Sequence, residues 1–454
     1  MTPTSTMEPP ARNVADVTAG LHPAAPRTAA EAGLSDDLLT QLVLKQLYQL
    51  GDLIGTDLAK RLGVEFSVIE PTLEPLRLTH QIEIVGSAVV GASSYRYRIS
   101  DEGRRRTQLF LEQNNYTGMA PVPLHQYQRY LKAYRDAVPT ISTRERVVKA
   151  FSHLVLSHRV LDQVGTAAAS GHSLFVYGPP GNGKTVIAQG LGRLLEGEIA
   201  IPHAIEVDGH IVRLFDPVNH EPLPVDEEDD DNSLIARPRL DARWVRCRRP
   251  MVTVGGELNL ASLDLAYSAE SGVYSPPIQA LATGGVLVID DFGRQHCSPR
   301  DLLNRWIVPL ESRVDYLTLR NGQKFELPFM VLVVFATNLK PRELVDEAFL
   351  RRVQFKVLAE SPTFEDFERI FENCCRERAL SYQPSLARHV VDRFLQPRNI
   401  QPRGCHPRDL IDQALAYAAY SGQPRALTMD LLEAACASYF VDEDEGLPTA
   451  PSMA

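Results

Sequence analysis

The sequence predicts an α/β protein. A buried parallel sheet occupies the middle of the chain, an all-helical region follows it, and a small winged-helix-like module precedes it. Three observations carry this prediction. Residues 174–177, 286–289 and 331–335 are short runs that are apolar on both faces, as strands inside a parallel sheet must be. From about residue 146 helical patterns alternate with these runs, the mark of βα units. After about residue 361 the strand patterns stop, and helical stretches follow over 364–378, 385–394, 407–420 and 428–439.

Composition bounds the rest. The chain has 454 residues, 44% of them hydrophobic, with a net charge of −10. At ~150 residues per domain that length suggests about three domains. An acidic chain is not a general nucleic-acid coat. The six cysteines include no C-x-x-C pair, which argues against a disulfide framework or a zinc ribbon. Adjacent Cys374 and Cys375 read as small helix residues. No apolar run approaches the ~18–20 residues of a membrane span, and no secretory pattern opens the chain. The expected location is the cytoplasm.

Residues 1–34, rich in Pro, Ala and Thr, read as a disordered leader. Over 35–115, Leu38, Leu39, Leu42, Val43, Leu47 and Leu50 recur at helical spacing up to Gly51. Thr56 reads as the cap of a second helix over 57–62, ended by Gly63, and a third runs from Ser67 to Leu78. Strands over 82–85 and 95–99 complete the winged-helix pattern. The third helix carries Glu65, Glu70 and Glu74 against Arg77 alone, so it would repel phosphates. Protein contact is expected of it in place of DNA, although Arg96, Arg98, Arg104, Arg105 and Arg106 make the wing end basic. Residues 116–145, with Pro121, Pro123 and Pro139, read as a linker. The large α/β domain then spans 146–360, the helical region 361–440, and an acidic tail 441–454.

Between strand 174–177 and a helical stretch stand Gly178, Pro179, Pro180, Gly181, Asn182, Gly183, Lys184 and Thr185, which fit G-x-x-x-x-G-K-[ST]. The glycines let consecutive backbone N–H groups face phosphate, and the helix N-terminus adds its dipole. Lys184 is placed to reach β- and γ-phosphates and Thr185 to ligate Mg²⁺, so ATP and Mg²⁺ are the expected ligands. The strand 286–289 ends in Asp290 and Asp291. Asp290 suits the metal, and Asp291 suits the orientation and deprotonation of an attacking water. The third strand ends in Asn338, an amide suited to the γ-phosphate or that water.

This pattern resembles the AAA+ ATPases over about residues 146–440. The resemblance implies a P-loop NTPase core with a helical lid, assembled as a ring, often a homohexamer, with ATP between subunits. Asp346-Glu347-Ala348-Phe349-Leu350-Arg351-Arg352 looks like the segment whose arginine completes a neighbour's site, so Arg351 or Arg352 would be that finger. Arg408, in Gly404-Cys405-His406-Pro407-Arg408, looks like the lid arginine that reaches the γ-phosphate. Alternating residues over 313–319 and 324–327 around Asn321-Gly322 predict a two-residue hairpin. A hairpin there resembles the pre-sensor-1 insertion of the clade that includes MoxR-like ATPases. Residues 274–353 resemble bacterial predicted ATPases with chaperone activity associated with Flp pilus assembly. Asp291 stands where the commoner AAA+ pattern has Glu, which shortens the side chain by one methylene.

Roughly a hundred residues separate Thr185 from Val286, and the insertion over about 200–275 reads most simply as mobile and solvated. It holds an acidic run over 226–231, then Arg237, Arg239, Arg243, Arg246, Arg248 and Arg249, blocks that would otherwise pair across subunits or engage a client. Tyr274 reads as a core tyrosine before a pore-facing one, and Arg294 and Arg305 as possible interface arginines. The function implied is Mg²⁺-dependent ATP hydrolysis coupled to remodelling of a protein client. The alternatives are a DNA-associated regulator and a non-hydrolysing ATP switch.

Overall fold

The computed structural model describes residues 14–87, 91–138, 143–224, 239–344 and 350–440. Its centre is a five-stranded, wholly parallel sheet in the order Met251–Val254, Val286–Ile289, Leu332–Thr337, Leu174–Tyr177, Phe355–Leu358. Alternate residues of each strand feed two separate cores, which is why these strands are apolar throughout. Phe175, Leu287, Ile289, Val333 and Phe335 pack on one face with Trp306 and Phe292. Leu174, Val176, Val286, Val288 and Val334 pack on the other with Ile187 and Leu191. The register sets Thr337 beside Tyr177 and Ile289 beside Phe335, so three strand tips meet at one edge.

The N-terminal module has helices Asp36–Leu50, Gly55–Leu62 and Phe66–Leu78, strands Ile82–Ser87 and Tyr95–Ile99, and a further helix, Asp101–Gln113. A short strand, Leu53–Ile54, joins the sheet beside Tyr95–Ile99. Thr56 does not cap the second helix. Ile54 occupies that position without a side-chain bond, because Gly55 already lies within the helix.

Two segments expected to be loose are built into the fold. The leader contributes a helix, Val14–Ala19, and is tied down beyond it. Thr18 Oγ1 accepts the Glu198 N–H, and the Glu198 carboxylate takes His22 Nε2 at 2.7 Å and Arg246 at 2.9 Å. The linker contains strand Val122–Pro123 and helix Leu124–Ala137, which buries Tyr127, Tyr130, Leu131 and Tyr134 with Ile199, Ile201 and Trp244. Those four residues repeat at helical spacing. Of the prolines that suggested a connector, Pro121 and Pro123 precede the helix, where a missing N–H costs nothing, and Pro139 lies outside the described residues.

The described residues of the insertion form regular structure as well. Strands Ala266–Ser268, Val273–Ser275, His210–Arg213, Ala204–Val207 and Val122–Pro123 form a mixed sheet, and Glu198–Pro202 pairs with Trp244–Arg248. Four of its arginines have partners within the chain. Arg243 is buried against Asp241 and donates to Ala32 O, Arg246 meets Glu198, Arg248 meets Glu221, and Arg249 donates to Gly284 O. On strand Trp244–Arg248, Arg246 therefore faces a buried carboxylate, while Arg248 pairs at the surface. The acidic run, Arg237, residues 1–13 and the tail lie outside the described residues.

The hairpin pairs Val314–Thr318 with Lys324–Pro328, but its connection has three residues. Leu319 N–H donates to Gln323 O at 2.8 Å, leaving Arg320, Asn321 and Gly322 in the loop, with Gly322 at φ +87°. Tyr274 is a core tyrosine whose hydroxyl accepts the Arg320 N–H at 2.9 Å. Arg305 is likewise internal, paired with Asp264 and Asp315.

The C-terminal helices Phe364–Glu377, Pro384–His389, His406–Tyr420 and Met429–Tyr439, with a π-helical turn Val390–Leu395, enclose their own core. Within it His406 is buried beside Tyr439 and Phe440, and burial lowers its pKa to about 4. The unfolded chain therefore binds the extra proton between pH 6.5 and 4, so stability falls as pH drops through that window, by about 3 kcal/mol in all. Thermal scans should show a shallower acid loss for His406→Gln than for the wild type.

Candidate nucleotide site

The phosphate loop turns sharply between strand Leu174–Tyr177 and helix Lys184–Leu194. Gly178, Gly181 and Gly183 take φ of +143°, +82° and +73°. A side chain at Gly178 would also press its Cβ to 2.5 Å from the Ala359 carbonyl oxygen, a backbone atom that cannot swing aside. Gly178→Ala is expected to destabilise the fold by about 1–3 kcal/mol, read by thermal or urea unfolding.

Behind the loop the expected residues converge. Thr185 Oγ1 donates to Asp290 Oδ2 at 2.8 Å, joining positions 105 residues apart. Asp290 Oδ1 accepts the Asp291 N–H at 3.0 Å. Asn338 Nδ2 donates to Asp291 Oδ1 at 3.1 Å, which leaves its own buried Oδ1 without a hydrogen-bond partner. A buried orphan acceptor beside a carboxylate is costly unless a ligand or water completes it. Lys184 is folded back, with Nζ donating to Gly178 O at 3.1 Å and Pro179 O at 2.9 Å. Burial lowers its pKa, and the nearby Asp291 and Asp290 carboxylates oppose that shift. A phosphate chain would add anions against a buried ammonium that now has only two carbonyls.

These groups line a cavity of about 690 Å³ that runs between the sheet edge and the C-terminal helices. Its lining includes the apolar Leu154, Leu156, Val160 and Ile370 as well as the loop, Asp290, Asp291, Asn338 and Arg408. That mixed lining suits a ligand with both a flat base and phosphates. The helical region is bonded directly to the loop: Cys405 N–H donates to Gly181 O at 2.8 Å and Gly404 N–H to Asn182 Oδ1 at 3.2 Å.

A phosphate loop on the fourth strand, the paired-acid strand two places away, the Asn-tipped strand between them and a helical lid bonded to the loop define the architecture. The core has the α/β P-loop NTPase fold. In this core, the residue pair Thr185 and Asp290 fits Mg²⁺, which takes one or two protein oxygens and fills its remaining positions with water and phosphate. Among the described residues, no group of three or more His, Cys, Asp or Glu forms a self-sufficient metal cage, as such a shared site requires none.

Arg408 lines the cavity but its guanidinium pairs with Asp409 at 2.9 Å. Arg351 and Arg352 are not at this chain's cavity. They line a separate open depression of about 490 Å³ with His172, Leu310, Glu311 and Gln354, and Arg352 Nε meets Glu311 at 2.6 Å. Two side-chain roles were not legible in the sequence. Asn182 bonds the lid and also donates to Ala359 O and Ser361 Oγ, both at 3.4 Å. Gln295 bonds the backbone of the paired acids.

Comparisons with known proteins give partial matches. A family described as magnesium chelatase, subunit ChlI, matches residues 153–210, and a domain of unknown function (DUF8689) matches residues 363–438. No curated protein matches the chain. Among solved structures, the Thermotoga maritima RuvB Holliday junction branch migration motor is similar at 14% identity, covering 65% of this chain and 72% of that one, with a TM-score of 0.37. NtrX from Brucella abortus in complex with ADP is similar at 14% identity over 68% of this chain and 60% of that one, with a TM-score of 0.38.

Proposed function

We propose that the protein is a Mg²⁺-dependent AAA+ ATPase that converts ATP and water to ADP and phosphate. The observation that carries this is the joint placement of Thr185 against Asp290 and Asn338 against Asp291 at the mouth of the loop. The loop N–H groups and Lys184 bind and orient the phosphates. Thr185 and Asp290 would hold Mg²⁺, which would supply charge that neutralises the phosphates. Asp291 accepts a proton from the attacking water, and the free Oδ1 of Asn338 accepts a second hydrogen bond that orients it. Arg408, once released from Asp409, reaches the γ-phosphate from the lid.

Phosphate release from ATP by the purified protein, with and without excess EDTA, tests this reading. Release above background that EDTA abolishes is the expected result, and release no faster than buffer overturns it.

The same proposal extends to assembly. Arg351 and Arg352, outside their own site, act in a neighbouring subunit of a ring. Arg352 is held by Glu311, which favours Arg351 as the residue that touches the phosphate. Arg351→Ala is expected to lower kcat by about 10³-fold or more with ATP affinity kept, measured by steady-state hydrolysis and analogue titration. The ring works on a protein client. The exposed Glu70 and Glu74 on helix Phe66–Leu78, beside Leu78 at 63% exposure, favour protein over nucleic acid as the recruited partner. The resemblance of 274–353 points to a pilus- or secretion-associated client, and the ATP supply this function needs points to the cytoplasm. No helix among the described residues is long and apolar enough to cross a membrane.

A further inference from the structure

We propose that Gln295 is a positioning residue for Asp291, acting through the backbone of the paired acids. The inference rests on the ATPase reading above. Asp291 sits at φ +47°, in the left-handed region that a residue with a side chain enters only when its surroundings hold it there. The amide of Gln295 supplies that hold. Its Nε2 donates to Asp290 O at 3.0 Å and to Asp291 O at 3.2 Å, and its Oε1 accepts the Gly293 N–H at 2.8 Å. The turn is closed further by Arg294 N–H to Asp291 O and by Phe292 N–H to Ala336 O on the Asn-tipped strand. Asp291 is thus gripped at its side chain by Asn338 and at its backbone by Gln295.

The short side chain gives this grip its importance. An aspartate has one methylene fewer than a glutamate, so its carboxylate goes where the Cα–Cβ bond points. At φ +47° that bond directs Oδ1 to Asn338. Relaxation to an ordinary negative φ would swing the bond, and Asp291 lacks the additional torsion with which a glutamate could return its carboxylate. Gln295 therefore compensates for the missing methylene by fixing the backbone.

The test uses the full chain and reads kcat, KM for ATP, the Kd of a non-hydrolysable ATP analogue and the thermal midpoint. Q295A is expected to lower kcat by about 10²-fold, the scale of a misplacement near 1 Å, with analogue Kd within about threefold of wild type. Placed on Asp291→Asn, it is expected to add no further loss. Should Q295A fail to fold, the isosteric Q295E sets an acceptor against two carbonyls and is expected to show the same loss of kcat with the cavity intact. Wild-type kcat in a folded variant, or an undiminished extra loss on Asp291→Asn, overturns the inference alone. A wild-type protein that releases no phosphate overturns the ATPase reading and this inference with it.

Discussion

Lys184→Ala is expected to reduce ATP hydrolysis by roughly 10²–10³-fold, the usual cost of removing one preorganised cation or donor from a developing phosphate charge. The fold should survive, because Nζ makes only two hydrogen bonds, both to carbonyls of its own loop. Removing the buried ammonium also removes the desolvation that now lowers its pKa. Steady-state phosphate release, with an unfolding curve as control, checks both halves. Wild-type turnover in the variant would remove Lys184 from the chemistry. Lys184→Arg is a useful companion: charge is kept, but the larger planar head does not fit between Gly178 O and Pro179 O.

The second large effect is on stability and lies far from the phosphate loop. Arg243→Ala is expected to destabilise the protein by about 3–5 kcal/mol, because the Asp241 carboxylate would stay buried without its cation. Arg243 is 2% exposed and Asp241 4%, and their groups meet at 2.7 Å. The same guanidinium donates to Ala32 O at 2.9 Å, which joins the N-terminal module to the inserted sheet. That module's core also takes in Ala204, Ile211 and Val273, so loosening the joint should expose apolar surface on both sides. Urea unfolding checks the magnitude. Asp241→Leu combined with Arg243→Met is expected to recover much of the loss, since an apolar pair leaves no stranded charge. Equal instability of the double variant would show that the Ala32 contact, not the ion pair, dominates.

Much of the site was legible because its chemistry is local. A loop that must turn tightly and expose N–H groups needs glycines at set offsets, and the strand before it and helix after it announce themselves by apolar runs. Asp290, Asp291 and Asn338 were legible because a polar residue ending a strand with no polar face has few other uses. Gln295 was not, because its partners are carbonyls, and every residue carries a carbonyl. Asn182 was read as part of the phosphate loop, yet its side chain bonds the lid. The linker was misread because Pro121 and Pro123 outweighed the Tyr127, Tyr130, Leu131 and Tyr134 stripe that follows. The insertion was misread because charged residues usually signal solvent, while here Arg243 and Arg246 face carboxylates brought from Asp241 and Glu198.

The sequence by itself determined the parallel sheet, the phosphate loop and the three polar strand tips, since each follows from neighbours along the chain. The strand order was decided by tertiary structure alone. It sets Asn338 between the loop and the paired acids and brings Asp290 to 2.8 Å from Thr185. Tertiary structure also decided that Arg351 and Arg352 line a separate depression, and that the described residues of the leader and insertion are packed. The physical reason is common to all of these. Burial and hydrogen bonding pair groups that lie tens to hundreds of residues apart, and no local pattern records which distant partner a charge or an amide will meet.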